Sequence, residues 1–230
     1  MKKTIPLRLL LVLGIMTLAA LACEVGALAD LNPARPPAAE GQGTDQPDTL
    51  LFQDDFSSPI SGWDRVSEPD GVTDYVNGVY RIFVNAANTD VWANPDLQFM
   101  DVRVEVVATK VGGSDNNDFG VLCRVTDEGN FYFFLISSDG YYGIGKMSAG
   151  RQILIGMEAM PPSEKIQKGG GPNHIRADCI GNKLTLYVNG EMIHEVQDDE
   201  YIAGDVGLIA GAYDTPGTDI YFDDFTVLKP

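Results

Sequence analysis

The chain has 230 residues, of which 33 are Asp or Glu and 16 are Lys or Arg, so its formal net charge is −17 at pH 7. This excess of carboxylates disfavours nucleic acids and anionic lipid surfaces as partners, because both repel a negatively charged protein. The length fits one domain of ordinary size with short flanking segments.

The N-terminal segment has the features of an export signal. Three basic residues, Lys2, Lys3 and Arg8, precede an uncharged and mostly apolar run from 9 to 22. A membrane-spanning helix needs about 20 apolar residues, so this run is too short to span a bilayer comfortably. Its length and its basic flank are typical of a secretory signal peptide.

The apolar run ends Ala20-Leu21-Ala22-Cys23, which resembles the lipobox of bacterial lipoproteins, although that pattern prefers Leu where Ala20 stands. The resemblance implies that residues 1–22 are a lipoprotein signal peptide and that Cys23 is lipidated. Two or more acyl chains anchor a protein stably, so we expect an extracytoplasmic, membrane-anchored lipoprotein of the bacterial cell envelope. The alternative is ordinary signal cleavage, with Cys23 left unmodified.

Residues 23–50 have the composition of a flexible tether. Prolines and glycines alternate with Ala, Asp, Glu and Gln, and aromatic residues are missing from the segment up to Thr49. Such a segment buries too little apolar surface to offset the entropy lost on ordering. The sequence therefore predicts a disordered tether over residues 23–50 and one folded domain over residues 51–230.

The domain has the sequence pattern of β-strands throughout. Apolar runs, many of them alternating with polar residues, occupy 78–84, 102–107, 119–125, 131–136, 174–180, 183–188, 191–196, 206–210 and 219–227. Turn residues separate these runs, and Asn189-Gly190 between two of them is a strong hairpin signal. Many short strands at regular spacing predict an all-β, two-sheet antiparallel β-sandwich.

The period of two places both remaining cysteines in apolar rows. Cys123 shares a face with Val121, and Cys179 shares a face with Ile175 and Ala177. An exported protein meets oxidising conditions, and lipidation of Cys23 would leave these two cysteines to pair. We expect a buried Cys123–Cys179 disulfide; the alternative is two thiols that pack as small apolar groups.

The opposite faces of the same strands carry charges, and these supply the candidate ligand contacts. Alternation places Arg124 and Arg176 away from the core, where they could donate hydrogen bonds to a ligand. Trp92 and Tyr142 stand in or beside turns, where an aromatic ring could stack on a sugar. The alternative is structural, because charges on a solvated face pair with one another and loop aromatics often cap a core.

Several motifs resemble the concanavalin A-like lectin/glucanase jelly-roll superfamily. They are Phe52-Gln-Asp-Asp-Phe56 with Gly62-Trp63, Asn130-Phe-Tyr-Phe-Phe134, Leu184-Thr-Leu-Tyr-Val-Asn-Gly190 and Tyr221-Phe-Asp-Asp-Phe225. Within that superfamily the chain is similar to laminin G-like modules and to the 3-keto-disaccharide hydrolase family. The resemblance implies a jelly-roll fold and says little about activity, since one fold supports many functions.

No catalytic residues are predicted. Laminarinase-type members of the superfamily carry Glu-x-Asp-x-x-Glu on a strand, which supplies the two carboxylates of a glycosidase. The nearest string here, beginning Glu68-Pro-Asp70, lacks the final Glu and contains Pro and Gly.

Two pairs of aspartates, Asp54-Asp55 and Asp223-Asp224, lie at the two ends of the domain. The terminal strands of jelly rolls commonly lie side by side, so these carboxylates are expected to meet. Calcium binds six to eight oxygen ligands, and Asp55 with Asp224 are our candidates for one structural calcium ion. The alternative is that these aspartates accept backbone hydrogen bonds where strands end.

The sequence therefore predicts a lipid-anchored module that binds glycan or another surface polymer without catalysis. Two alternatives stay open, a hydrolase that acts on an unusual sugar and a purely structural protein of the envelope.

Overall fold

A computed structural model describes residues 48–230, and strands are the only regular elements in that range. The predicted signal peptide, Cys23 and most of the predicted tether lie outside the described residues. None of the residues from 48 onward forms a helix that is long and apolar enough to cross a membrane. The first strand begins at Thr49, so the folded domain starts two residues before the predicted boundary.

The strands form two antiparallel sheets. The larger sheet has nine strands: β1 (Thr49–Asp54), β2 (Val66–Glu68), β3 (Gly71–Val76), β4 (Val79–Val84), β6 (Val102–Gly112), β11 (Asn173–Ile180), β12 (Lys183–Val188), β13 (Glu191–Gln197) and β15 (Thr218–Lys229). The smaller sheet has six: β5 (Thr89–Ala93), β7 (Asn117–Asp127), β8 (Asn130–Ile136), β9 (Tyr142–Ser148), β10 (Arg151–Leu154) and β14 (Asp205–Ala212). The predicted all-β sandwich is confirmed.

Strand order brings the two ends of the domain together. The nine-stranded sheet runs β13-β12-β11-β6-β15-β4-β3-β2, and β1 pairs with β15. The six-stranded sheet runs β10-β9-β8-β7-β14-β5, so β5 is one of its edges. The expected hairpin at Asn189-Gly190 joins β12 to β13, and both residues have a positive φ (54° and 84°), as a two-residue hairpin turn requires.

The core lies between the sheets and is built from alternate residues of each strand. On β6 the inward residues Val102, Val104 and Val106 are fully buried, and their partners on β11 include Ala177 and Cys179. Cys179 forms a disulfide with Cys123 of β7, which confirms the predicted pairing and links the two sheets covalently.

Candidate functional site

The outer face of the six-stranded sheet is apolar, whereas the exposed face of a sandwich is usually polar. Outward side chains from four neighbouring strands form a second buried cluster, separate from the core, that comprises Leu122, Phe131, Phe133, Leu135, Met147 and Ile209. Met160, from the segment that joins β10 to β11, packs on this cluster together with Trp92. Residues 157–160 of this segment also line one of the two cavities on this face.

Two cavities open beside this apolar cluster. The first, which we call the edge cavity, has a volume of about 610 Å³ and lies along edge strand β5, where Asp90 and Trp92 line it. The second, the loop cavity, has a volume of about 970 Å³ and is lined by Asp118, Leu135 and Met160. Both lie within the size range of small-molecule binding sites.

Both cavities carry negative charge. Among the described residues that line the edge cavity, eight are Asp or Glu and none is Lys, Arg or His. The described lining of the loop cavity contains Asp118, Asp139 and Glu158, again with no basic residue. Both cavities therefore favour neutral or positively charged ligands.

Two aspartates converge between the cavities. Asp90 of β5 and Asp118 of β7 both stand opposite Gly211 of the intervening strand β14. Because Gly211 has no side chain, the two carboxylates approach each other across the middle strand; a Cβ at residue 211 would clash with Oδ1 of both. Strand register thus places the two aspartates on either side of Gly211, and the missing side chain at this glycine lets their carboxylates come close.

The carboxylates of this pair titrate abnormally. Burial raises the pKa of Asp90, and burial together with the nearby charge of Asp90 raises the pKa of Asp118. Oδ1 of Asp118 is shielded from solvent and has no hydrogen-bond partner among residues 48–230. No described backbone or side-chain group donates a hydrogen bond to this oxygen.

Aromatic rings stand beside both cavities. Trp92 lines the edge cavity and packs against Phe131 with 5.4 Å between ring centroids. Tyr141 and Tyr213 line the loop cavity, and their side chains are exposed. Each ring can offer an apolar surface to the C–H groups of a sugar.

The predicted placement of Arg124 on the exposed face is wrong. Its backbone has φ 52°, in a bulge where the pairing of β7 with both neighbours shifts register. The bulge interrupts the alternation of side chains, so the arginine is buried instead of solvated. Its guanidinium group donates hydrogen bonds to the carbonyl oxygens of Met100, Tyr201 and Cys179.

Arg176 lies on the outer face of the nine-stranded sheet, away from the two cavities. It forms a bidentate ion pair with Asp178, and its guanidinium carbon is 4.2 Å from the ring centroid of Tyr187. The neighbouring charges Arg103 and Glu105 are paired as well, with Asp178 and His174. This face shows the self-paired arrangement that was the alternative to a ligand site.

Tyr142 faces inward, unlike Trp92. It is half-buried against the core, and its ring centroid lies 5.8 Å from that of His194. Trp92, Arg124, Tyr142 and Arg176 therefore do not form one site, because they lie on three different surfaces of the sandwich.

The pairing of β1 with β15 places Asp54, at the end of β1, opposite Phe225, next to Asp223 and Asp224 in the middle of β15. Asp54 is already engaged, since it accepts hydrogen bonds from the backbone of Phe56 and from Trp63 Nε1. Asp55 accepts hydrogen bonds from Ser57, and Asp224 is exposed. No group of three or more His, Cys, Asp or Glu in the described part of the chain is arranged to hold a metal. Calcium at Asp55 and Asp224 stays a prediction.

Sequence reasoning missed the Asp90–Asp118 pair. The signal was weak: each aspartate occupies an outward position of an apolar run, and the matching position on a third strand is glycine. Only the order β5-β14-β7 makes these three positions neighbours, and alternation within single strands does not reveal that order.

Comparisons with known proteins identify the fold. No family model matches the sequence, and no curated protein matches it. Among solved structures, the chain is similar to carbohydrate-binding module CBM66 from Bacillus subtilis, with a TM-score of 0.60 and 16% identity over 74% of this chain and 96% of that one. The fold is a concanavalin A-like jelly roll.

Two further structures support the same jelly roll. A Bacillus subtilis protein of unknown function with a galectin-like fold matches at a TM-score of 0.57 and 12% identity, over 79% of this chain and 96% of that one. A GH16 protein of the Bacteroides ovatus mixed linkage glucan PUL, solved with a product, matches at a TM-score of 0.55 and 11% identity, over 78% of this chain and 100% of that one. At these identities the likeness establishes the jelly roll alone.

Proposed function

We propose that the domain binds carbohydrate at the outer face of the six-stranded sheet and does not hydrolyse it. One observation carries the proposal: exposed or half-buried aromatic rings stand at two cavities whose other polar groups are mainly carboxylates and amides. Such groups accept and donate hydrogen bonds to sugar hydroxyls, while the rings pack on sugar C–H groups. The jelly-roll neighbours include a carbohydrate-binding module, which agrees with this use of the fold.

A glycan array on residues 48–230, followed by calorimetry on each hit, tests the proposal. Trp92→Ala removes a ring from the edge cavity, so we expect a loss of about 1 kcal/mol in binding, or about fivefold in Kd. Tyr187→Ala removes a ring from the outer face of the other sheet and should leave Kd unchanged. Absence of binding across a broad panel would instead favour the structural role.

The Asp90–Asp118 pair also favours a second candidate, a glycoside hydrolase. Two carboxylates with raised pKa values can act as an acid and a base, which is the chemistry of glycosidases. Release of reducing sugar from a bound glycan, abolished by Asp118→Asn, would establish hydrolysis and replace the proposal of binding alone.

We also propose that the domain is displayed from a membrane through lipidated Cys23, with residues 24–48 as a spacer. The lipobox-like Ala20-Leu21-Ala22 before this cysteine supports the proposal. In cells that export the full chain, Cys23→Ala should move the protein from the membrane fraction to the soluble extracytoplasmic fraction. Membrane association that survives the substitution would contradict the anchor.

A further inference from the structure

We propose that Asp90 and Asp118 form a subsite for a protonated amino group, so that the preferred glycan is an amino sugar with free amines. This inference rests on the proposed function, because it names the class of sugar that the same outer face takes. It differs from a general preference for cations, since it assigns one charged group of the ligand to one pair of side chains.

The geometry of the pair suits a small cation. Neighbouring strands in a sheet lie about 4.8 Å apart, so β5 and β7 are separated by about twice that distance. Asp90 and Asp118 reach towards each other over this gap because Gly211 leaves the space between them free. Asp90 lines the edge cavity and Asp118 lines the loop cavity, so one carboxylate of the pair borders each cavity.

The electrostatics of the pair favour a proton or a cation between the two carboxylates. Two adjacent carboxylates avoid repulsion by sharing a proton or by holding a cation between them. Asp118 Oδ1 is buried and lacks a protein donor among the described residues. An ammonium group carries three N–H donors and a positive charge, so it can satisfy both carboxylates at once.

The described residues that line the two cavities include no Lys, Arg or His that could compete for the pair. The titratable side chains that face Asp118 across the loop cavity are Asp139, Glu158, Tyr141 and Tyr213. Beside Asp90, the described lining of the edge cavity is acidic, with no basic residue. A metal ion fits less well than an amine, because no third His, Cys, Asp or Glu joins the pair in the described residues and calcium needs six or more oxygen ligands.

The experiment compares two oligosaccharides of equal length, one of glucosamine and the other of N-acetylglucosamine. Calorimetry at pH 6, where the sugar amines are already protonated, in two buffers of different ionisation enthalpy gives both Kd and the number of protons released. We expect the glucosamine oligomer to bind about tenfold or more tightly, which is the usual effect of a charged hydrogen bond. Its binding should release a proton, since the ammonium group displaces the one that the carboxylates share.

Two substitutions at the pair should remove this preference. Asp118→Asn keeps the shape and removes the charge, while Gly211→Ala places a methyl group between the carboxylates; both variants should bind the two oligomers equally. Gly211 does not have a positive φ, so alanine is compatible with its backbone. Asp199→Asn, a change at an exposed aspartate that lines neither cavity, should retain the preference and the proton release. Thermal melting confirms that each variant is folded.

Equal binding of both oligomers by the wild-type protein would overturn the amine subsite and leave carbohydrate binding in place. A preference that survives Asp118→Asn would also overturn it, since the charge would then come from elsewhere in the cavities. Binding of neither oligomer would reject the subsite, and absence of all glycan binding on the array would reject the proposed function separately.

Discussion

The guanidinium group of Arg124 donates hydrogen bonds to three backbone carbonyls and one carboxylate. Its donors reach Met100, Tyr201 and Cys179 at 2.9–3.3 Å, and Nη2 lies 3.1 Å from Asp101 Oδ1. These acceptors come from strand ends and loops of both sheets, so the arginine joins segments that lie far apart in sequence. Its role in this structure is structural.

Replacing this arginine should destabilise the domain. Arg124→Met leaves buried carbonyl groups without donors, and we expect a loss of about 3–5 kcal/mol in the free energy of unfolding. The matched control is Arg176→Met, which removes an arginine of a partly exposed ion pair and should cost about 1 kcal/mol or less. Urea denaturation measures both values. Equal costs for the two variants would contradict the structural role of Arg124.

At the level of the elements, alternation was a reliable guide wherever strands pair regularly. Arg103 and Glu105 of β6 stand opposite Asp178 and Arg176 of β11, as their shared faces require. The same regularity placed Cys179 towards the core, where it meets Cys123. Local patterns therefore predicted the sandwich, the hairpin at Asn189-Gly190 and the disulfide, because each depends on neighbours in sequence or on burial.

Alternation failed on β7 one residue beyond Cys123. Arg124 itself has a left-handed φ within a bulge, which breaks the alternation of side chains and leaves the arginine buried. Arginine carries no sequence signal for that conformation, which glycine and asparagine usually adopt. The acid pair was missed for a different reason. Its two members lie on strands that are not neighbours, and their meeting depends on the glycine of a third strand. Features that require strand order cannot be read from single strands.

At the scale of the whole molecule, the free energy of unfolding depends on the pH of the solution. Burial raises the pKa of Asp205 to about 6 and raises the pKa values of Asp90 and Asp118. Since the pKa of aspartate in an unfolded chain is about 3.9, these three carboxylates bind more protons in the native state than in the unfolded state above that pH. Lowering the pH also reduces the net negative charge of the chain and with it the self-repulsion of the compact state.

Stability should therefore rise as the pH falls from about 8 to about 5, by at least about 1 kcal/mol. Further acidification should reverse the trend, because ion-paired carboxylates such as Glu105 and Asp198, whose pKa values are lowered, then become protonated. Urea denaturation across this range measures the profile. Asp118→Asn should flatten the rise, and a profile that falls steadily from pH 8 to pH 5 would contradict the raised pKa values.

The position of β5 at the edge of its sheet has a dynamic consequence. Of the described strands, only β14 is hydrogen-bonded to β5, so β5 can detach without breaking any other strand pair. Such edges open locally at a lower free energy than the rest of a domain, and amide hydrogen exchange records those openings. Asp90 lies on β5, so the carboxylates of Asp90 and Asp118 stay close to each other only while β5 is paired with β14. Two ionised carboxylates repel the strand outward, whereas a shared proton or a bound ammonium group holds it in place. The exchange rates of the β5 amides thus report the protonation and occupancy of the pair.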